Sequence, residues 1–106
     1  FQWSEEYMAK ITKALKKNRI VIYQNHAFLL VANTVAEAFL LAYMLKQACE
    51  LQIKILSSGD PIIIPSPEDC ERHYQSYYGK IGKYDGSKEW PGLLRSLDRE
   101  DPSFRD

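Results

Sequence analysis

His26 is the residue of this chain whose type and setting could do chemistry. It lies in Ile20-Val-Ile-Tyr-Gln-Asn-His-Ala-Phe-Leu-Leu-Val31, where apolar runs rich in β-branched residues flank a polar Asn25-His26 pair. At such a strand junction an imidazole can be held rigidly and still face a cleft, which is how a metal ligand is usually presented. A zinc site of catalytic type takes about three protein ligands and one open position. The other histidine, His73, lies in a different sequence context. Either further ligands come from outside this chain, or His26 is a core histidine satisfied by backbone partners.

No other residue pattern offers a reaction. The serines sit at caps and turns and form no nucleophile elbow, and the three glycines after Tyr78 neither follow a strand nor open a helix as a phosphate-cradling loop requires. Tyr74, Tyr77, Tyr78 and Tyr84 could offer an acid or a stacking surface, but tyrosines at helical spacing are more often amphipathic packing residues.

The elements that must position His26 are legible. Ser4 is an N-cap, Glu5 and Glu6 sit at the positive end of the helix dipole, and Tyr7, Met8, Ile11 and Leu15 recur at helical spacing until Lys16-Lys17-Asn18. Arg19 to Tyr23 and Ala27 to Ala32 read as two short strands, each expected to be buried on both faces. Thr34-Val-Ala-Glu37 is a capping box that opens a helix from Val35 to about Leu56. Phe39, Leu40, Tyr43, Met44, Leu45, Leu51 and Ile55 make it apolar nearly all round, as in a central core helix, with part of the excess left to cover a missing half of the domain or another subunit.

Pro61-Ile-Ile-Ile-Pro65 is a proline-bracketed extended segment that belongs along a surface, and Ser66-Pro67-Glu68-Asp69 starts a third helix. The apolar side of that helix is Cys70, Tyr74, Tyr77 and Tyr78. Gly79, Gly82 and Gly86 mark a loop; Trp90, Leu93, Leu94 and Leu97 repeat as a fourth helix; Asp98 to Asp106 reads as a polar arm.

Composition narrows the class. At 106 residues and 45% apolar content the chain is one small globular domain, near the size at which burial leans on a partner. Fourteen basic and fourteen acidic side chains leave no net charge to hold nucleic acid or an anionic membrane surface. The longest uncharged run of the second helix, Ala38 to Leu45, falls far short of the roughly 20 residues of a membrane span. Cys49 and Cys70 lack CxxC spacing and are expected to be buried reduced thiols, which favours the cytoplasm. The start Phe1-Gln2-Trp3 has no initiator Met and no secretory pattern, and is expected to be a cut inside a larger protein.

Several spaced motifs then carry a resemblance. Asn25-His26 between two strands, Asn33-Thr34-Val35-Ala36-Glu37-Ala38-Phe39, and Ala48-Cys49-Glu50 with Gln52 resemble the C-terminal half of the class II aldolase/adducin family. Glu89-Trp90, Leu93-Leu94-Arg95, Leu97-Asp98 and Asp101-Pro102-Ser103 resemble the tail of a bacterial-type branch of it. The resemblance implies an α/β/α layered domain with a mixed, mainly antiparallel sheet, of which residues 1–106 are the C-terminal part: a helix-strand-strand-helix core over 1–56, with C-terminal helices and an arm over 57–106.

It also implies zinc or another divalent metal held by three histidines. His26 matches the third of these, while the His-x-His pair and the catalytic carboxylate belong to a missing N-terminal half. Such an ion acts as a Lewis acid on a small carbonyl or sugar-phosphate-type substrate in an aldolase-type lyase, or a related epimerase or dehydratase. The segment alone would be inactive. Homo-oligomers with shared sites are implied as well, and the alternative is an adducin-like oligomerisation and cytoskeletal-binding module without chemistry. Ala27 and Ala32 stand where the family has glycines, which matters only if the backbone there has positive φ or makes a close approach.

Overall fold

The computed structural model describes residues 4–78 and 84–105. Its element order is α1 (Glu5–Leu15), β1 (Ile20–Tyr23), β2 (Ala27–Leu30), α2 (Val35–Ser57), α3 (Pro67–Tyr77), α4 (Trp90–Glu100) and a short 3-10 helix, Pro102–Arg105. The chain divides into two compact units, one ending at Asn33 and the other starting at Thr34.

In the first unit the Ser4 hydroxyl accepts the Tyr7 N–H at 3.2 Å, which caps α1, and Lys16 ends the helix with φ +36°. The strands β1 and β2 form an antiparallel hairpin in which Ile20 faces Leu30 and Tyr23 faces Ala27. Because side chains alternate along a strand, Val21, Tyr23, Ala27 and Leu29 share one face and Ile20, Ile22, Phe28 and Leu30 the other. α1 covers the first: Met8 and Ile11 line an apolar hollow with Tyr23 and Leu29, and the Tyr7 and Tyr23 rings lie 6.1 Å apart. The expected burial on both faces does not hold. Ile22 is 64% exposed and Phe28 is exposed too, since the described sheet has two strands and one covering helix.

The second unit is built on the start of α2. Thr34 has extended backbone, and its hydroxyl accepts the Glu37 N–H at 3.1 Å, which is the expected cap. The next turn carries the burial: Glu37, Leu40 and Leu41 are each under 8% exposed. Residues 46–60 are all exposed, so α2 is a core helix over its first turns only. Beyond Leu45 its apolar side chains are exposed, and none of the described residues covers them. No helix of the described residues is long and apolar enough to cross a membrane.

Gly86 secures that first turn. It is buried with φ +76°, and a Cβ built on it would lie 2.5 Å from the Ala36 carbonyl oxygen and 3.3 Å from the Glu37 nitrogen. Only a residue without a side chain lets the loop before α4 approach the backbone so closely. Four residues on, the Trp90 ring lies 5.6 Å from Phe39.

α3 starts as expected, with the Ser66 hydroxyl accepting the Asp69 N–H and Pro67 in the first turn. The Tyr84 ring stands edge-on to Tyr77 at 5.3 Å and to Tyr78 at 6.3 Å, so the tyrosines pack mainly on one another. The expected glycine loop at Gly79 and Gly82 lies outside the described residues. Between α2 and α3 the segment Pro61 to Pro65 carries no regular structure, and Ile63 is 95% exposed.

The polar arm is more ordered than its composition suggests. Asp98 to Glu100 continue α4, Asp101 accepts the Ser103 N–H at 3.0 Å, and Arg105 grips both oxygens of Asp98 at 2.5 and 2.6 Å. Hydrogen bonds from the guanidinium hold the Asp98 carboxyl below its ordinary range. Cys49 and Cys70 also differ from expectation: both are unbridged and exposed, since neither α2 beyond its first turns nor α3 is covered at those positions.

Two outcomes are expected. Gly86→Ala costs about 2–4 kcal/mol in urea unfolding, from strained backbone plus overpacking. Gly59→Ala, with the same φ of +76° but nothing within 4 Å, costs only the backbone part; equal losses at the two sites would refute the close-approach argument. The Asp98–Arg105 clasp has a depressed carboxyl pKa in the folded chain, so it is intact above the unfolded value of about 3.9 and is lost as pH falls through the folded one. The Arg105 Nε–H resonance should shift in that acid range and be invariant in Asp98→Asn.

Candidate functional site

The hairpin determines where His26 stands. Tyr23 and Ala27 are the last pair of the ladder, so residues 24–26 form the connection. The His26 N–H donates to the Tyr23 carbonyl at 3.2 Å, and Asn25 has φ +55°. Positive φ at the third position is the pattern of a type II turn, and asparagine tolerates it better than most residues with a side chain. The Asn25-His26 order therefore has a local reason. Asparagine takes the left-handed backbone of the tight turn, and the histidine follows at the mouth of β2, exposed to solvent. The strand-junction placement expected from sequence is observed.

His73 is exposed on α3 in the second unit, with its ring 4.7 Å from Tyr77. Among the described residues no three His, Cys, Asp or Glu side chains are grouped to hold a metal ion. One histidine at a hairpin turn is a single donor, and a divalent ion of catalytic type needs about three. The residues present therefore do not fit a complete metal site by themselves.

Ala27 and Ala32, which the resemblance sets opposite glycines, have φ of the ordinary sign. Among the described non-glycine residues, positive φ occurs at Lys16 and Asn25, not at Ala27 or Ala32. Ala27 is an ordinary strand residue paired with Tyr23. Neither alanine has a positive φ, so a left-handed backbone gives no reason for glycine at either place.

Sequence reasoning named Glu37 for its backbone role but not for its burial: at 6% exposure it is the buried polar group of the described chain. It also missed the Arg105–Asp98 clasp, whose partners are seven residues apart across a helix end. The signal available for it was Asp101-Pro102-Ser103, a turn that folds the chain back toward α4.

Comparison with known proteins agrees with the motifs. The Class II Aldolase and Adducin N-terminal domain model matches residues 2–53. A Caulobacter vibrioides protein provisionally named an aldolase class 2 protein is 33% identical over 101 residues, covering 95% of this chain and 39% of that protein. A similarly named Pseudomonas aeruginosa protein is 28% identical over 108 residues, covering 96% and 40%. Alpha-adducin of Rattus norvegicus is 30% identical over 106 residues, covering 89% of this chain and 14% of that one. The chain thus spans about two fifths of the length of its bacterial relatives. No solved structure matches it. The hairpin with Asn25-His26, the capped helix that follows and these relatives agree: the chain belongs to the class II aldolase and adducin family.

Proposed function

We propose that this chain is the C-terminal part of a class II aldolase-like, divalent-metal-dependent lyase acting on a small carbonyl or sugar-phosphate-type compound, and that it is inactive as this segment alone. The observation that carries the reading is the placement of His26, exposed at a tight hairpin turn inside the family-matched stretch. There it would serve as one ligand of zinc or a related ion, completed by residues of the preceding half of the domain. The chain's own contribution is positional. The Asn25 turn and the two-strand ladder set the direction of the imidazole, and α1 packed on one face of the hairpin keeps the ladder in place.

The bare second face of the hairpin and the uncovered length of α2 support a partner for burial: the preceding half of the same domain, and further copies of the protein in a homo-oligomer. Two unbridged thiols on the surface suit the reducing cytoplasm. A second reading, a non-catalytic oligomerisation and cytoskeletal-binding module, is favoured by the likeness to alpha-adducin. The stretch Asp98 to Asp106 carries four acidic and two basic side chains, so no basic run lies within it.

Zinc titration with metal analysis separates the readings. The 106-residue chain should take up no stoichiometric ion, while a polypeptide that also carries the preceding half should hold about one per chain. His26→Ala should weaken that binding by more than the roughly 10–100-fold that loss of an outer-sphere partner costs. Aldol-cleavage activity should disappear with the metal. An extended protein that stays metal-free, or binds equally well as His26→Ala, would rule out the ligand role and favour the adducin-like module.

A further inference from the structure

Asp85-Gly86 is the single aspartate-glycine step of the chain, and no asparagine precedes a glycine. At such a step a polypeptide can rearrange with water as its only co-reactant. The Gly86 nitrogen attacks Cγ of the protonated Asp85 carboxyl. A carbon–nitrogen bond forms, the bond from Cγ to the hydroxyl oxygen breaks, and that hydroxyl leaves as water with the amide proton. The product is a five-membered succinimide. Water then adds to the former Asp85 main-chain carbonyl and releases it from the Gly86 nitrogen. The result is isoaspartate: the main chain runs through Asp85 Cβ and Cγ and is one carbon longer, the former main-chain carbonyl is a free carboxylate, and mass and net charge are unchanged.

Glycine exposes its nitrogen to this attack because it has no side chain to shield it. Of the other aspartates, Asp60 and Asp101 precede prolines, which carry no N–H, and Asp69 and Asp98 lie inside α3 and α4.

In the folded chain the step is clamped. Gly86 is buried with φ +76°, seated so closely on the first turn of α2 that a Cβ on it would lie 2.5 Å from the Ala36 carbonyl oxygen. Its own carbonyl accepts the Trp90 N–H at 2.9 Å, and Asp85 Oδ1 accepts the Ser87 N–H at 3.0 Å. A flat succinimide turns Asp85 Cβ in line with the Gly86 nitrogen, a main-chain setting outside the ordinary α and β regions. Ring closure therefore needs the Asp85 carboxyl to leave Ser87 and Gly86 to lift from Ala36.

We propose that Asp85-Gly86 is a self-modification site gated by the first turn of α2: isoaspartate forms only while Gly86 is lifted from Ala36, and the lengthened main chain then cannot be seated again. Local openings of this kind are ordinary in folded proteins and normally reverse. Here the added carbon meets a place where even one methyl group does not fit, so a brief opening becomes permanent. The inference goes beyond the preceding reading and holds whether or not the chain serves a metal site.

Ageing the 106-residue chain in neutral buffer tests it, with peptide mapping that separates isoaspartyl from aspartyl peptides and far-UV circular dichroism to confirm that each variant is folded. Isoaspartate at residue 85 should accumulate at least about tenfold more slowly in native buffer than in urea. Thr34→Ala, which removes the cap of α2, should speed it about fivefold, the factor for a cap of typical strength. Ser4→Ala removes a cap of the same kind from α1 and should leave the rate unchanged. The isoaspartyl form, once separated, should unfold at lower urea than its parent. Equal rates in native buffer and urea, or a Thr34→Ala rate no higher than that of Ser4→Ala, would overturn the gate. An isoaspartyl form as stable as its parent would overturn the permanent loss of the seat.

Discussion

The first turn of α2 is the constraint on which the second unit depends. Three requirements coincide there. The Thr34 hydroxyl satisfies a backbone donor that would otherwise be unpaired, Glu37, Leu40 and Leu41 are withdrawn from solvent, and the Gly86 loop lies against the Ala36 carbonyl. Helix starts are costly because several residues are fixed before the first hydrogen bond repays them. A capped and covered start lets the rest of a long helix propagate with little tertiary support. That is why α2 runs through Ser57 although its second half is bare.

The first unit follows a different logic. A two-stranded hairpin is marginal in water without a covered face, and α1 supplies that cover through Met8, Ile11 and the Tyr7–Tyr23 ring contact. The candidate ligand His26 is thus held by a small assembly in which turn geometry is strict and packing is one-sided. The turn orients the residue. The other face is exposed at Ile22 and Phe28, and the bacterial relatives are more than twice as long as this chain.

Much of this was legible in the residues. Ser4, Thr34 and Ser66 announced three helix starts, because capping is a local exchange of hydrogen bonds that depends on nearest neighbours in sequence. The hairpin was legible from β-branched runs around a polar pair, and the family from motifs in order. Burial was not legible. Ile22, Phe28, Cys49 and Cys70 were expected inside and stand outside, since apolar or thiol character says what a side chain prefers and not whether a neighbouring layer is present. Gly86 and the Asp98–Arg105 clasp depend on residues distant in sequence or across a helix end, where periodicity carries no information. For the candidate site, the position of His26 could be read from sequence. A complete metal site could not, because a single donor specifies no coordination sphere.

The segment between α2 and α3 has a further meaning for how such a chain survives in solution. Three consecutive isoleucines, one of them almost wholly in water, are the kind of β-prone stretch that seeds cross-strand stacking between molecules. Pro61 and Pro65 flank them, and neither has an N–H to extend a ladder. A strand recruited there would end after three residues in either direction. The prolines act as gatekeepers, so the chain can display this apolar stretch without its becoming a template for fibrils.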